Sequence, residues 1–177
     1  MKKVISILVA LSLFFCLVGC DVLDDTPKKE TGSVSENENN EATEQKDDTF
    51  ALKETAVFED MKITAEELKE SNGDILFKPD NGNTFVGIKF TMENTSDEEI
   101  TVSSILLFEG YVDDVKSSMS LTASTVFGET LDGTVAAGKK LVGWYAMEVP
   151  SDWNTIELEV KSDWLSNTSA KFVFENK

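Results

Sequence analysis

The sequence predicts an all-β domain, an antiparallel sandwich of about seven strands, and three observations carry that expectation. From Phe50 to Lys177 short apolar runs alternate with turn residues. The clearest run, TFVGIKFTM at 84–92, repeats apolar side chains at period two, as a half-buried strand requires. No long amphipathic helical pattern interrupts the series, which points to two packed sheets. A domain of this size can bury most of its apolar surface without a disulfide.

The elements follow in order. Val57, Met61 and Ile63 punctuate a first strand. Thr64 to Ser71, TAEELKES, has Thr64 and Glu67 at capping-box spacing, but an isolated helix of about seven residues is marginal, so the strand through Ile63 is expected to continue. Asp74 to Lys78 (DILFK) reads as a second strand, closed by Pro79, Asp80, Asn81 and Gly82. In the third, Val86, Ile88, Phe90 and Met92 face the core, while Gly87, Lys89 and Thr91 are expected on the solvated face. Asn94 to Glu98 turns the chain into a strand built from Ile100, Val102 and Ile105 to Phe108. Residues 113–130 are expected to form an irregular connection or weak edge strand with little core. Leu141 to Val149, Thr155 to Val160 and Ala170 to Phe174 complete the set. Tyr145, Met147 and Val149 share the core face, leaving Trp144 on the other, and Gly143 is expected to leave room for a neighbouring ring. Gly138 suits a turn with positive φ, and Pro150 ends a strand because it has no amide hydrogen for the ladder.

The N-terminus carries an address. Lys2 and Lys3 precede an apolar segment, Val4 to Val18, that is shorter than the roughly 20 residues of a membrane span. Leu17, Val18, Gly19 and Cys20 then form a lipobox: the Cys20 thiol takes diacylglycerol as a thioether, and small Gly19 admits the peptidase. An uncleaved anchor is disfavoured because Asp21, Asp24 and Asp25 follow at once. The expected organisation is a signal peptide at 1–19, a lipidated Cys20 with a disordered acidic linker to 49, and a β-sandwich over 50–177. Cys16 leaves with the signal, so the domain has no disulfide. Two acyl chains would hold the protein on the outer face of the cell membrane.

Composition excludes several functions. The formal charge is −17, and removal of Lys2 and Lys3 with the signal takes it to −19, which argues against nucleic acid as a partner. All 16 basic residues are Lys, and the chain has no His, so the commonest general base and metal ligand is missing. No cofactor is implied, and catalysis is disfavoured. Residues 21–49 are rich in Asp, Glu, Asn, Ser and Thr, too polar to fold, and as a random coil of about 30 residues would span on the order of 30 Å.

One set of residues resembles a known family. FVGIKFTMENTS at 85–96, an apolar strand, a variable loop, the Gly138-Lys139 turn and LVGWYAMEVP at 141–150 follow the order found in immunoglobulin-like bacterial lipoprotein domains of unknown function. The fold is shared with a small secreted immunoprotective antigen and with other lipoproteins of low-GC Gram-positive bacteria. The resemblance covers residues 57–160 and implies an immunoglobulin-like sandwich and export, with no activity. The sequence departs from the pattern at Met147, where an aromatic is usual, and at Phe108 to Asp114, where FEGYVDD replaces an Asp-Gly-like hairpin.

Three constellations bear on function. Trp144, Trp153 and Trp164, with Tyr111 and Phe127, could form an aromatic platform for a cell-wall polymer or a protein, against ordinary core packing. Asp97, Glu98 and Glu99, with Asp113 and Asp114, offer acidic turns without the regular spacing of a calcium loop. Carboxylate pairs for glycoside hydrolysis have no motif to select them. The expectation is therefore a membrane-anchored binding or interaction module with no metal and no catalytic residue, the alternatives being a wall-glycan enzyme or a calcium-binding surface domain. Asn94-Thr95-Ser96 and Asn167-Thr168-Ser169 are expected to serve as turns.

Overall fold

The computed structural model describes residues 27–29 and 49–176. The elements are β1 (Lys28–Lys29), β2 (Thr49–Phe50), β3 (Thr55–Val57), β4 (Met61–Ser71), β5 (Asn83–Asn94), β6 (Ile100–Val102), α1 (Ser104–Leu107), β7 (Phe108–Val112), β8 (Val115–Ser117), α2 (Leu121–Phe127), β9 (Gly133–Val135), β10 (Lys140–Pro150), β11 (Thr155–Val160) and β12 (Ala170–Glu175).

Two five-stranded sheets face each other, ordered β1-β3-β4-β5-β10 and β2-β12-β11-β7-β8, and β6 pairs with β9 separately. From β3 onward the chain changes sheet between β5 and β7, returns between β8 and β10, and crosses again between β10 and β11, while β5 pairs with β10 and β7 with β11. That is the pairing order of an immunoglobulin-type sandwich in which the fourth strand is missing. Pairing is antiparallel except that β2 runs parallel to β12. The core between the sheets takes Ile63, Ile88, Phe90, Tyr145, Met147, Leu158 and Phe172. Phe90 sits at its centre, edge-on to both Phe108 and Phe172 with ring centroids 5.3 Å apart. Met147 is fully buried there, so the departure from an aromatic leaves no exposed gap.

Several expectations hold in detail. Thr64 to Ser71 continues β4 as a strand, with a register shift between Ala65 and Glu67. Gly138 has φ +67°, and Pro150 is the last residue of β10. Asn94 is buried and ties the two most distinctive stretches together. Its Nδ2 donates to the Glu98 and Val135 carbonyls at 2.7 and 2.9 Å, and its Oδ1 accepts from the Ser96 amide at 2.9 Å. Its backbone exchanges hydrogen bonds with Gly138 and Lys139. Asn-Thr-Ser here is a buried turn support.

Four expectations are corrected. DILFK at 74–78 is not a strand: the Phe77 and Leu76 amides donate to Asp74 Oδ1 at 2.8 and 2.7 Å, closing a turn that leaves Ile75 94% exposed. These bonds hold the Asp74 carboxyl below its usual range. Ile105 to Leu107 belongs to the helical turn α1, held by Ser104, whose amide and hydroxyl donate to Asp132 Oδ1 at 2.9 and 3.0 Å. Within 113–130, expected to be irregular or a weak edge strand, β8 is such an edge strand, but a helix follows it: Ser120 caps α2 by accepting from the Ala123 amide at 3.2 Å. Gly143 makes room for backbone rather than a ring, since a Cβ there would stand 2.5 Å from the Thr130 carbonyl oxygen.

The outer face of β5 also differs from expectation. Helix α2 lies over it, so Phe85, Ala123 and Ala146 form a second buried cluster with Val126 and Phe127. A Cβ on Gly87 would meet the Phe127 ring at 2.7 Å. The free edge of β10 is covered by the same segment: the Ser120 amide donates to the Ala146 carbonyl and the Trp144 amide to the Glu129 carbonyl, both at 2.8 Å. An open edge that would template aggregation is thereby closed.

The signal peptide, Cys20 and most of the expected linker lie outside the described residues. Within that linker, however, Lys28 and Lys29 pair with Val57 and Ala56, extending the first sheet by one strand. Lys29 also forms an ion pair with Glu54 at 2.5 Å and lies over the Phe50 ring, and Pro27 is buried. The polar composition of the segment hid a short stretch that an open sheet edge can capture.

Candidate functional site

A groove of about 470 Å³ lies where the β7–β8 edge meets α1 and the lead into α2. Leu107, Phe108 and Tyr145 form its buried apolar floor, with the Phe108 and Tyr145 rings stacked at 4.9 Å. Ile105, Leu106 and Leu121 stand exposed along its rim. Each is there for a local reason: the Ser104–Asp132 bonds end β6 and turn Ile105 and Leu106 outward, and the Ser120 cap starts α2 with Leu121 on the solvent side.

Charges line one wall. Lys116 Nζ and the Tyr111 hydroxyl donate to Glu109 Oε1 at 2.6 and 2.7 Å. The Lys116 ammonium, and then the Tyr111 hydroxyl, hold the Glu109 carboxyl below its usual range, while Glu109 raises the Tyr111 hydroxyl. Glu159 and Lys161 continue this wall. At the floor, burial pushes the Tyr145 hydroxyl up to about 12, against a backbone hydrogen bond at Met119. Tyr145 is thus a neutral phenol at any physiological pH. Chemically the groove offers an apolar bed with a paired-charge border.

The five aromatic residues singled out in the sequence do not form one platform. Trp153 is 1% exposed and belongs to the core, its Nε1 donating to Glu70 at 3.2 Å. Trp144 is buried on the outer face of β10 against Phe127, between Lys69 and Lys89. Tyr111 is engaged with Glu109. Only Trp164, 63% exposed, presents its ring to solvent, and it lies on the β11–β12 loop. The sequence treated these residues alike because a tryptophan carries no local mark of the face its strand will bury.

The Asp113–Asp114 turn is structural. Asp113 and Asp114 have φ +47° and +65° and form the two-residue hairpin turn between β7 and β8 that replaces Asp-Gly. Asp113 Oδ1 accepts from the Asn154 and Thr155 amides at 3.0 and 2.8 Å, tying that hairpin to the start of β11. Among the described residues no cluster of three or more His, Cys, Asp or Glu side chains could hold a metal ion, and no helix is long and apolar enough to cross a membrane. The groove itself escaped sequence reading because its parts come from four separate stretches of chain. The one usable signal was the apolar pair Ile105-Leu106 beside the turn-forming Ser103-Ser104.

Comparison with known proteins gives a family model described as a domain of unknown function, DUF4352, which matches residues 50–171. Among solved structures, the Bacillus subtilis and Bacillus anthracis proteins that follow share the fold. A Bacillus subtilis protein described as a candidate lipoprotein is 15% identical, with 66% of this chain and 36% of that one covered and a TM-score of 0.54. This chain therefore spans about a third of that protein's length. A conserved hypothetical protein of Bacillus anthracis is 10% identical over 69% of this chain and 94% of its own, with a TM-score of 0.51. An uncharacterised β-sandwich protein of Clostridium difficile is 17% identical over 78% and 100%, with a TM-score of 0.47. No curated protein matches the chain.

Proposed function

We infer that this chain, which belongs to the DUF4352 family of domains of unknown function, works as a lipid-anchored interaction module on the outer face of the cell membrane. The anchor is Cys20, and the lipobox together with a structural neighbour described as a candidate lipoprotein supports it. The immunoglobulin-like lipoprotein lineage, with its Gram-positive setting, belongs to the same proposal.

The observation that carries the binding reading is the groove with its exposed Ile105, Leu106 and Leu121 over a buried Phe108–Tyr145 floor. Exposed aliphatic side chains bordering an apolar bed suit a protein segment with apolar side chains, and the Glu109–Lys116 wall would select its flanking charges. Within the groove, Lys116 and Tyr111 hold the Glu109 carboxyl down, which suits a charge contact with a partner better than a general acid.

Crosslinking of the lipidated protein in its own membrane tests this reading. A photoreactive residue at Leu121 should form one dominant protein adduct, and Ile105→Asp with Leu106→Asp should abolish it without lowering the melting temperature. Adducts of equal strength with and without the Asp pair would reject the groove.

A further inference from the structure

We propose that the domain stands with its β11–β12 loop against the bilayer, Trp164 and Leu165 seated in the lipid interface, because β1 clamps the domain close to the anchor. This rests on lipidation of Cys20. Lys28, Val57, Lys62, Glu93 and Lys140 form one row across the first sheet. That row lies next to the end of the sandwich where Asn94, Val160 and Ala170 also lie. Antiparallel to β3, β1 runs from Lys28 away from this end, so the chain preceding Lys28 arrives there.

Seven residue steps separate Cys20 from buried Pro27. Fully extended they reach no more than about 25 Å. The opposite end, with its apolar Ile75 and Leu76, lies past Ser71, nine residues beyond Lys62 along β4, or about 30 Å further. Of the two apolar ends, only the near one is within easy reach of the membrane.

That near end carries the right chemistry. Trp164 and Leu165 are 63% and 67% exposed on the β11–β12 loop, and the Lys161 amide donates to the Leu107 carbonyl at 3.0 Å, placing the loop beside Ile105 and Leu106. Tryptophan favours the headgroup region, and a tethered domain meets the surface at high effective concentration, so a weak contact suffices. The Asp97–Glu99 turn at the first-sheet side of the same end would be repelled by anionic lipid, which tips the contact toward the second sheet.

The test uses the full lipidated chain in phosphatidylglycerol–phosphatidylethanolamine vesicles with brominated acyl chains, read by tryptophan emission. Quenching should be strong, and Trp164→Phe should remove most of it, since Trp144 and Trp153 are buried. A Gly/Ser insert of about seven residues between Asp25 and Thr26 doubles the reach and should weaken quenching, whereas the same insert between Asn39 and Asn40 should not. Equal effects of the two inserts would overturn the clamp. Quenching that survives Trp164→Phe, or that Ile75→Ser with Leu76→Ser removes, would overturn the orientation. Metabolic fatty-acid labelling separates the premises: labelled protein without quenching rejects the orientation alone, whereas unlabelled protein rejects the Cys20 anchor and the orientation with it.

Discussion

The two faces of β5 bury side chains by different means. On the inner face Val86, Ile88, Phe90 and Met92 are covered by the opposing sheet, a surface every sandwich strand can expect to meet. On the outer face Phe85 and Gly87 are covered by α2, a helix of seven residues supplied from about 35 positions downstream, while Lys89 and Thr91 remain partly open. The inner face is therefore a property of the strand, and the outer face is a property of the connection between β8 and β9. A period-two pattern reports the first and is silent about the second.

Substitutions along the two faces sharpen this contrast. Phe90→Ala removes a side chain enclosed by Phe108 and Phe172 and should cost about 3–5 kcal/mol in urea melts. A loss near that of an exposed position would break the inner-face assignment. Tyr145, on the inner face of β10, should stay protonated until about pH 12 because it is buried. Its folded value lies above the ordinary 10.0, so the protein holds this stability in full below pH 10 and loses it, on the order of 2–3 kcal/mol, as pH rises toward 12. Absorbance titration of tyrosinate alongside alkaline melts checks the window, and Tyr145→Phe should flatten it.

On the outer face, Gly87→Ala should cost toward the lower end of about 1–3 kcal/mol, because the new methyl collides with the Phe127 ring and a short helix can shift. Combining it with Phe127→Ala should recover part of that loss, and strict additivity in the double variant would mean α2 does not cover Gly87. The smallest effect is expected for Lys89→Ala. Its ammonium lies 5.7 Å from the Trp144 ring centre, shared with Lys69, so the loss should stay at or below about 1 kcal/mol and shrink little in salt.

Much of the frame is legible in the sequence. The β5, β10, β11 and β12 segments, the core face of Tyr145, Met147 and Val149, the Gly138 turn and the strand continuation through Thr64 all follow from spacing and turn chemistry. The errors share a cause. DILFK has strand composition, yet Asp74 offers its carboxylate to the next amides, and no neighbouring strand competes for them. Ile105 to Leu107 looks like strand until the Ser104–Asp132 bonds bend it. Of the groove, the sequence marked no lining residue as a binding residue; it grouped Trp164 and Tyr111 with Trp144 and Trp153, which packing removes from the surface.

What the sequence determined alone is whatever depends on neighbours in the chain: alternation of faces, turns that need Gly, Asn or Asp, and the acidic balance of the chain. Tertiary structure alone decided that Lys28 and Lys29 join the first sheet, that α2 shields Gly87, and that four stretches of chain meet at the Tyr145 groove. The division follows from range. A dihedral preference or a side-chain period is set within a few residues, whereas the surface that covers a strand comes from a distant segment whose position only the closed topology defines.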